Sequence, residues 1–390
     1  MKVVHCITGL TADGAQRMLL RLSTELQKKG FQNYVVSLER REPFAEMFEA
    51  QGIEVFSLGS EGGGSWIRCL HSLRTVLSSL KPSVIQGWMY HANLALSLVS
   101  SVDPGIKRPL WNIRRGVDDL AERKLLTRLV VRANALLSSR TAHIIYCTDE
   151  SRRQHERIGF SHERGVVIGN GFDAQRFRPR AELGGMLRMK LSLRPDTIII
   201  GNVGRYDLAK GKYYLLDAVA RLHQRVPNIH LVLVGRGMTP ENLALRTRIQ
   251  ELGLTSVVTL YGEVSSLEDL YPAFDILCSS SVNEGFPNVI AEAMLSGVAC
   301  VVTDVGNSRA LVEGIGVVVP PRCARSLADG LFDMCVRAGE ARADAGRQGR
   351  ERIARLYSLE SVAERYAQLY SAVGLQEWRT RSFAQKAAIS

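Results

Sequence analysis

Short apolar runs alternate with helix-period segments along almost the whole chain, and the alternation occurs twice over. The first half opens with KVVHCI (Lys2–Ile7) and a loop, after which Met18, Leu19, Leu22 and Leu26 recur at helical spacing until Gly30 stops them. NYVVSL and IEVFSL follow, then a helix around Leu70–Leu80, the run PSVIQGWM, another helix, PLWNIR, HIIYCT and VVIGNGF. The second half repeats the scheme with TIIIGNVGR, a helix at Tyr213–Leu222, IHLVLVGRG, a helix at Asn242–Leu252 and VVTLYG. SSLEDLYPAFD, read as a short helix, ILCSSS, PNVIAEAMLSG, VACVVTDVG and a helix at Leu327–Ala338 complete it. Strands alternating with helices at this spacing predict parallel sheets covered on both faces.

A chain of 390 residues exceeds the comfortable size of a single core, so two doubly wound α/β domains are expected. The turn chemistry between Gly171 and Pro179 sets the boundary: residues 1–175 form the first domain and 176–358 the second. Residues 359–390 carry Val362, Tyr366, Leu369, Tyr370 and Val373 at amphipathic-helix spacing and are expected to cross back to the first. Open α/β sheets bind ligands beyond the carboxyl ends of their strands, which places the default site in a cleft between the domains.

Formal net charge is +11, and residues 1–178 carry most of it, with 25 Lys and Arg against 17 Asp and Glu. That imbalance suits an anionic partner, and it equally suits an Arg-rich solvated surface. A nucleic-acid-binding protein fits the charge but would need basic–aromatic interleaving or a binding module, and neither is present. No run of about 18 uncharged apolar residues predicts a membrane span. The opening MKVVHCITGLTADGA reads as a buried strand rather than a secretory leader. Cys6, Cys69, Cys147, Cys278, Cys300, Cys323 and Cys335 are scattered with no C-x-x-C pair, as expected of free thiols in the cytoplasm.

The chemistry concentrates in S-V-N-E-G-F-P-N-V-I-A-E-A-M-L-S-G, Ser281–Gly297. Pro287 is expected at the first helical position and Gly297 just past the last, giving a helix over 287–296 whose N-terminus suits phosphate oxygens. Glu284 stands in the loop before that helix and Glu292 inside it. Carboxylates beside an anion site are suited to accepting paired hydroxyls from a sugar or a ribose. In G-N-V-G-R-Y-D-L-A-K-G-K, Arg205 and Lys210 follow the domain's first strand, where leaving-group charge would develop; a surface arginine in an ordinary turn is the alternative.

Together with L-V-L-V-G-R-G (231–237), L-Y-G-E-V (260–264), T-D-V-G (303–306) and V-I-G-N-G-F-D-A-Q-R-F-R-P (167–179), these segments resemble the family 4 retaining glycosyltransferases of GT-B fold. The resemblance implies two Rossmann-like domains facing across a cleft and a nucleotide diphosphate sugar as co-substrate, with no cofactor and no metal. It implies that Arg205 and Lys210 bind the diphosphate and that Gly204 belongs to the nucleotide-sugar site. Glu284, with Gly285, Phe286, Pro287 and Asn288, would hold the donor sugar and Glu292 the ribose. Gly235, Gly237 and Gly262 would surround the base. UDP is favoured over GDP.

On the acceptor side, G-L-T-A-D-G-A-Q is similar to the family's first glycine loop, with Gly14 kept but Asp13 and Gln16 where glycine and glutamate are common. His91, in Q-G-W-M-Y-H-A-N, matches a histidine that contacts the reacting sugar in similar enzymes; a histidine packed at a helix start is the alternative. Trp88 is expected in the core or cleft wall. Arg114 and Arg115 are expected to face the cleft, where an acidic acceptor, a lipid phosphate or simple solvation would all fit. Asp118–Asp119 is not a D-x-D metal motif. Arg123, Lys124, Arg128 and Arg132 border an apolar helix face that fits either an anionic membrane surface or plain solvent. His91, Arg205, Lys210 and Glu284 are thus the catalytic candidates, acting on a lipid-linked or glycan acceptor in cell-surface assembly, in the cytoplasm and at the inner face of the membrane. A nucleotide-sugar epimerase or a phosphorylase on the same architecture is the rival enzyme; a dehydrogenase is disfavoured because no strand is followed by G-x-G-x-x-G.

Overall fold

The computed structural model describes residues 1–11, 14–59, 66–117, 120 and 124–387, with side chains to residue 374. Asp13, the glycine-rich turn 61–65, Asp118–Asp119 and Arg123 lie outside the described residues. The chain divides into two compact units, one comprising residues 1–171 with 359–390 and the other residues 172–358.

The first unit is built on β1 (Lys2–Ile7), β2 (Gln32–Ser37), β3 (Glu54–Ser57), β4 (Val84–Trp88), β5 (Leu110–Ile113), β6 (Ile144–Tyr146) and β7 (Gly165–Val167). The second is built on β8 (Ile198–Val203), β9 (Ile229–Val234), β10 (Val258–Gly262), β11 (Ile276–Ser279), β12 (Ala299–Thr303) and β13 (Val317–Val319). All pairings are parallel, in the orders β3-β2-β1-β4-β5-β6-β7 and β10-β9-β8-β11-β12-β13. In each sheet the order reverses beside the unit's first strand, at β1/β4 and β8/β11, the switch point where open α/β sheets place their ligands.

Burial on both faces explains the uninterrupted apolar runs: every residue of β4 and β9 is buried. The helix Gly14–Lys28 turns Met18, Leu19, Leu22 and Leu26 inward. They join one core with Val362, Tyr366, Tyr370 and Val373 of the last helix, Leu359–Ala387, which returns to the first unit. In the second unit the helix Lys212–His223 packs Leu215, Leu216, Val219 and Leu222 against β8 and β9 and beside the helix Ala324–Cys335. S-S-L-E-D-L-Y-P-A-F-D departs from the single helix expected of it, forming two 3-10 turns, Leu267–Asp269 and Tyr271–Ala273. Pro272, lacking an N–H, cannot extend the first turn into a helix. Six of the seven cysteines are buried, and all are free.

Candidate active site

In the second unit the loops leaving β8, β9 and β10 are knitted by main-chain hydrogen bonds. Gly204 N–H donates to Val234 O (2.8 Å), Tyr206 N–H to Arg236 O (2.8 Å), Gly235 N–H to Gly262 O (2.7 Å) and Gly262 N–H to Met238 O (2.8 Å). A Cβ on Gly235 would lie 2.5 Å from Gly204 O, so backbone meets backbone at the strand ends. Gly204, Gly235, Gly237 and Gly262 are therefore neighbours.

Arg205 leaves this rim exposed, its Nη2 2.9 Å from Asp207 Oδ2. Asp207 caps the following turn by accepting from Ala209 N–H at 2.9 Å. That N–H, and then Arg205, hold the Asp207 carboxyl below its ordinary range. Lys210 is largely covered and forms an ion pair with Glu284 Oε1, an atom that also accepts from Ser281 Oγ at 2.7 Å. The fold thus joins two candidates 74 positions apart. Two further bonds fix the loops that carry them: Ser280 Oγ donates to Lys210 O (2.9 Å) and Val282 N–H to Ala209 O (2.8 Å).

Beyond Glu284, Phe286 is buried against Phe172 and Tyr357, with ring centroids 5.8 and 5.5 Å away. It anchors the loop. The next helix is Asn288–Leu295. Pro287, expected as its first residue, instead caps it from outside with φ −79° and ψ 87°, because that extended ψ lifts the chain off the helix to carry Gly285 and Phe286. At the other end Gly297 N–H donates to Met294 O and Val298 N–H to Ala293 O, both at 3.0 Å, the bonding of a Schellman stop. Glu292 is buried on this helix and accepts from the Tyr271 hydroxyl at 3.0 Å. From β12, Thr303 Oγ1 donates to Ser281 O (2.6 Å), and the T-D-V-G turn brings Gly306 against the carbonyls of Glu284 and Gly285.

In the first unit Gly14 opens a helix after β1, and His91 lies in the first turn of the helix Met89–Val102 after the neighbouring β4. Gln16 Nε2 donates to Gly9 O at 3.0 Å and Thr11 Oγ1 at 3.2 Å, bracing the glycine loop. His91 is half-buried, and burial lowers its pKa, which favours a neutral imidazole. Met89 turns the chain from strand to helix with φ 68°. Trp88 is in the core. Arg114 is held by contacts within the first unit. It donates to Ile168 O (2.8 Å) and the Tyr366 hydroxyl, with its guanidinium 5.5 Å from the Trp88 ring centroid. A cation placed over an aromatic face is stabilised there without an acidic partner. On the helix Leu125–Leu137, Leu125, Leu126, Leu129 and Leu136 are 68%, 67%, 50% and 83% exposed. Lys124, Arg128, Arg132 and Arg140 accompany them, and residues 124–140 contain no acidic side chain.

Two participants escape a sequence reading of the site, Ser281 and Gly306, and so does the buried Lys212 that begins the next helix. Only Lys212 leaves a signal, since it sits at i−3, i−4, i−7 and i−10 to Leu215, Leu216, Val219 and Leu222 on the buried stripe of its helix.

Residues 197–335 match the family model described as Glycosyl transferases group 1, and residues 12–176 match Glycosyltransferase Family 4. The chain belongs to the group 1 and family 4 glycosyltransferases. EpsF of Bacillus subtilis, named as a glycosyltransferase, is 24% identical over 320 residues, covering 81% of this chain and 82% of its own. The lipopolysaccharide core biosynthesis mannosyltransferase LpsB of Rhizobium meliloti is 26% identical over 283 residues, 68% of this chain and 79% of its own. The crystal structure of Anabaena HepE in complex with UDP superimposes with a TM-score of 0.84 at 20% identity, over 95% of this glycosyltransferase and all of HepE. Such a likeness establishes the shared GT-B architecture.

Proposed function

We propose that this glycosyltransferase moves a sugar from a UDP-sugar to a hydroxyl of a lipid-linked or glycan acceptor, with retention of anomeric configuration and without a metal. The observation that carries this reading is the Lys210–Glu284 pair beside the helix Asn288–Leu295. An incoming diphosphate competes with Glu284 for Lys210 and meets the positive end of that helix. Glu284, released from its cation, turns to the hydroxyls of the transferred sugar, while Arg205 and Lys210 stabilise charge growing on the leaving phosphate. Glu292, deeper on the helix, accepts from the ribose. The acceptor hydroxyl enters on the leaving-group face, where the departing phosphate takes its proton, so the two glutamates are not the acid and nucleophile of a glycosidase. His91 serves the reacting sugar as a neutral hydrogen-bonding group.

UDP is favoured because the architectural neighbour HepE is named in complexes with UDP and with UDP-glucose. A surface-glycan acceptor is favoured by the lipopolysaccharide role named for LpsB. The exposed leucines of the helix Leu125–Leu137, accompanied by Lys124, Arg128 and Arg132, fit the anionic inner face of a membrane, where such an acceptor lipid would lie. The deciding experiment incubates the protein with a panel of nucleotide sugars and acceptors, scoring nucleotide release and the anomeric configuration of the product. Release of UDP with an α-linked product from an α-linked donor is expected. Conversion of a donor in the absence of any acceptor sugar or lipid would support the epimerase instead.

A further inference from the structure

We propose that Lys212 is a third cation of the donor site, one that gains its proton as the diphosphate arrives, so that donor binding draws a proton from solvent. The inference rests on the donor-site reading above.

Lys212 is 2% exposed and begins the helix Lys212–His223. The chain is pressed into the site immediately before it: Gly211 has φ 62°, and a Cβ there would lie 2.0 Å from Ser280 O. The groups facing the ammonium come from four elements. From β8, the Asn202 amide oxygen accepts from Nζ, and the Asn202 amide nitrogen donates to Cys278 O at 2.7 Å, which fixes the oxygen toward the lysine. From β11, burial pushes the Cys278 thiol up to about 12, so it stays neutral and offers no counter-charge near pH 7. From the loop before the helix comes Lys210, a like charge; from the loop after β11 comes Glu284, already paired with Lys210. The helix N-terminus adds its own positive end. None of the ion pairs among the described residues includes Lys212.

A lysine buried with one neutral acceptor, beside a cation and at the wrong end of a helix dipole, holds its proton weakly. Burial first, and then Lys210, bring its pKa down to about 7. An anion engaging Lys210 reverses the local balance. It adds negative charge to a site where the charges of Lys210 and Glu284 had balanced one another. Lys212 then protonates and complements a leaving phosphate that no metal shields.

Calorimetric titration with UDP at pH 7.5, repeated in buffers of low and high ionisation enthalpy, counts the protons exchanged. The secondary phosphate ionisation near pH 6 contributes little at that pH. The wild-type protein is expected to take up about half a proton or more per UDP bound, and its affinity is expected to fall about tenfold between pH 7 and 9. Lys212→Met should bind UDP with uptake near zero, and Lys212→Arg, charged throughout, should keep its affinity at pH 9. UDP binding to wild type without proton uptake, or equal uptake in Lys212→Met, overturns the role of Lys212 and leaves the donor site standing. The wild-type measurement decides this even if neither variant folds. Absence of UDP binding to wild type overturns both.

Discussion

Replacing Gly306 by alanine isolates how much of the site depends on one backbone contact. Gly306 has φ 54°, and an added Cβ would lie 2.4 Å from Glu284 O and 2.7 Å from Gly285 O. Ordinary carbon–oxygen contact begins near 3.3 Å, so the loop carrying Glu284 must retreat by about 0.9 Å. A misplacement of about 1 Å costs up to about 100-fold in rate when it moves a group that positions substrate. Alanine in a left-handed conformation adds about 1–2 kcal/mol of strain wherever it occurs. Gly314 supplies the control, because it too is left-handed (φ 74°) but its Cβ would meet nothing within 4 Å. Both variants should therefore melt a few degrees lower, at about 2–4 °C per kcal/mol for a unit of this size. Only Gly306→Ala should also lose about 10- to 100-fold in kcat/KM, measured as nucleotide release from the donor identified by the panel. Equal kcat/KM for the two alanine variants would refute the reasoning, since the strain is shared and only the contact differs.

Glu284→Ala should lower kcat by about 100-fold or more while UDP affinity holds or tightens, because the substitution frees Lys210 for phosphate; unchanged turnover with weakened UDP binding would exchange the roles given to Glu284 and Glu292. Activity should survive excess EDTA, and its complete loss with recovery on adding manganese would place a metal in the reaction. Co-sedimentation with anionic vesicles should be strong at low salt, absent with neutral vesicles, and reduced by replacing Leu125 and Leu129 with serine or Lys124, Arg128 and Arg132 with glutamine. Indifference to anionic vesicles would make a water-borne acceptor the better fit. Burial lowers the pKa of His5 and of His155 from 6.5 to about 4. The unfolded chain therefore binds more protons than the native one between those values, so stability is full above pH 6.5 and is lost as pH falls toward 4. Melting temperature followed from pH 7 to 4.5 should decline on that limb, less steeply in His155→Gln.

The sheets were legible because parallel strands buried on two faces leave an unmistakable trace, as in I-H-L-V-L-V, where nothing polar interrupts except His230, bonded to Thr259 at 2.8 Å. β13 left less, since V-V-V at 317–319 is too short to distinguish from a turn of apolar helix. Glu284, Arg205 and Lys210 stood out by residue type and spacing, but their partners did not. That Lys210 meets Glu284 rather than solvent, and that Asp207 meets Arg205, follows from how two loops fold over β8 and β11. The partners of Arg114 were equally hidden: the Trp88 face and the Tyr366 hydroxyl that hold it come from a neighbouring strand and from a helix 252 positions away. Pro287 misplaced a helix start by one residue because proline fixes φ and leaves ψ free.

The return of the helix Leu359–Ala387 to the first unit gives the chain a nested order of assembly. As the polypeptide emerges from the ribosome, residues 172–358 carry a complete set of strands and can close their own core. Residues 1–171, made earlier, still lack Tyr366 and Tyr370, whose hydroxyls meet Asn112 at 2.9 Å and Gln86 at 2.7 Å inside that first core. The half synthesised first is thus the half finished last. Until then its sheet exposes the apolar face that the last helix covers, so a premature stop codon before Tyr366 would leave the first unit's core open while sparing every strand of the second.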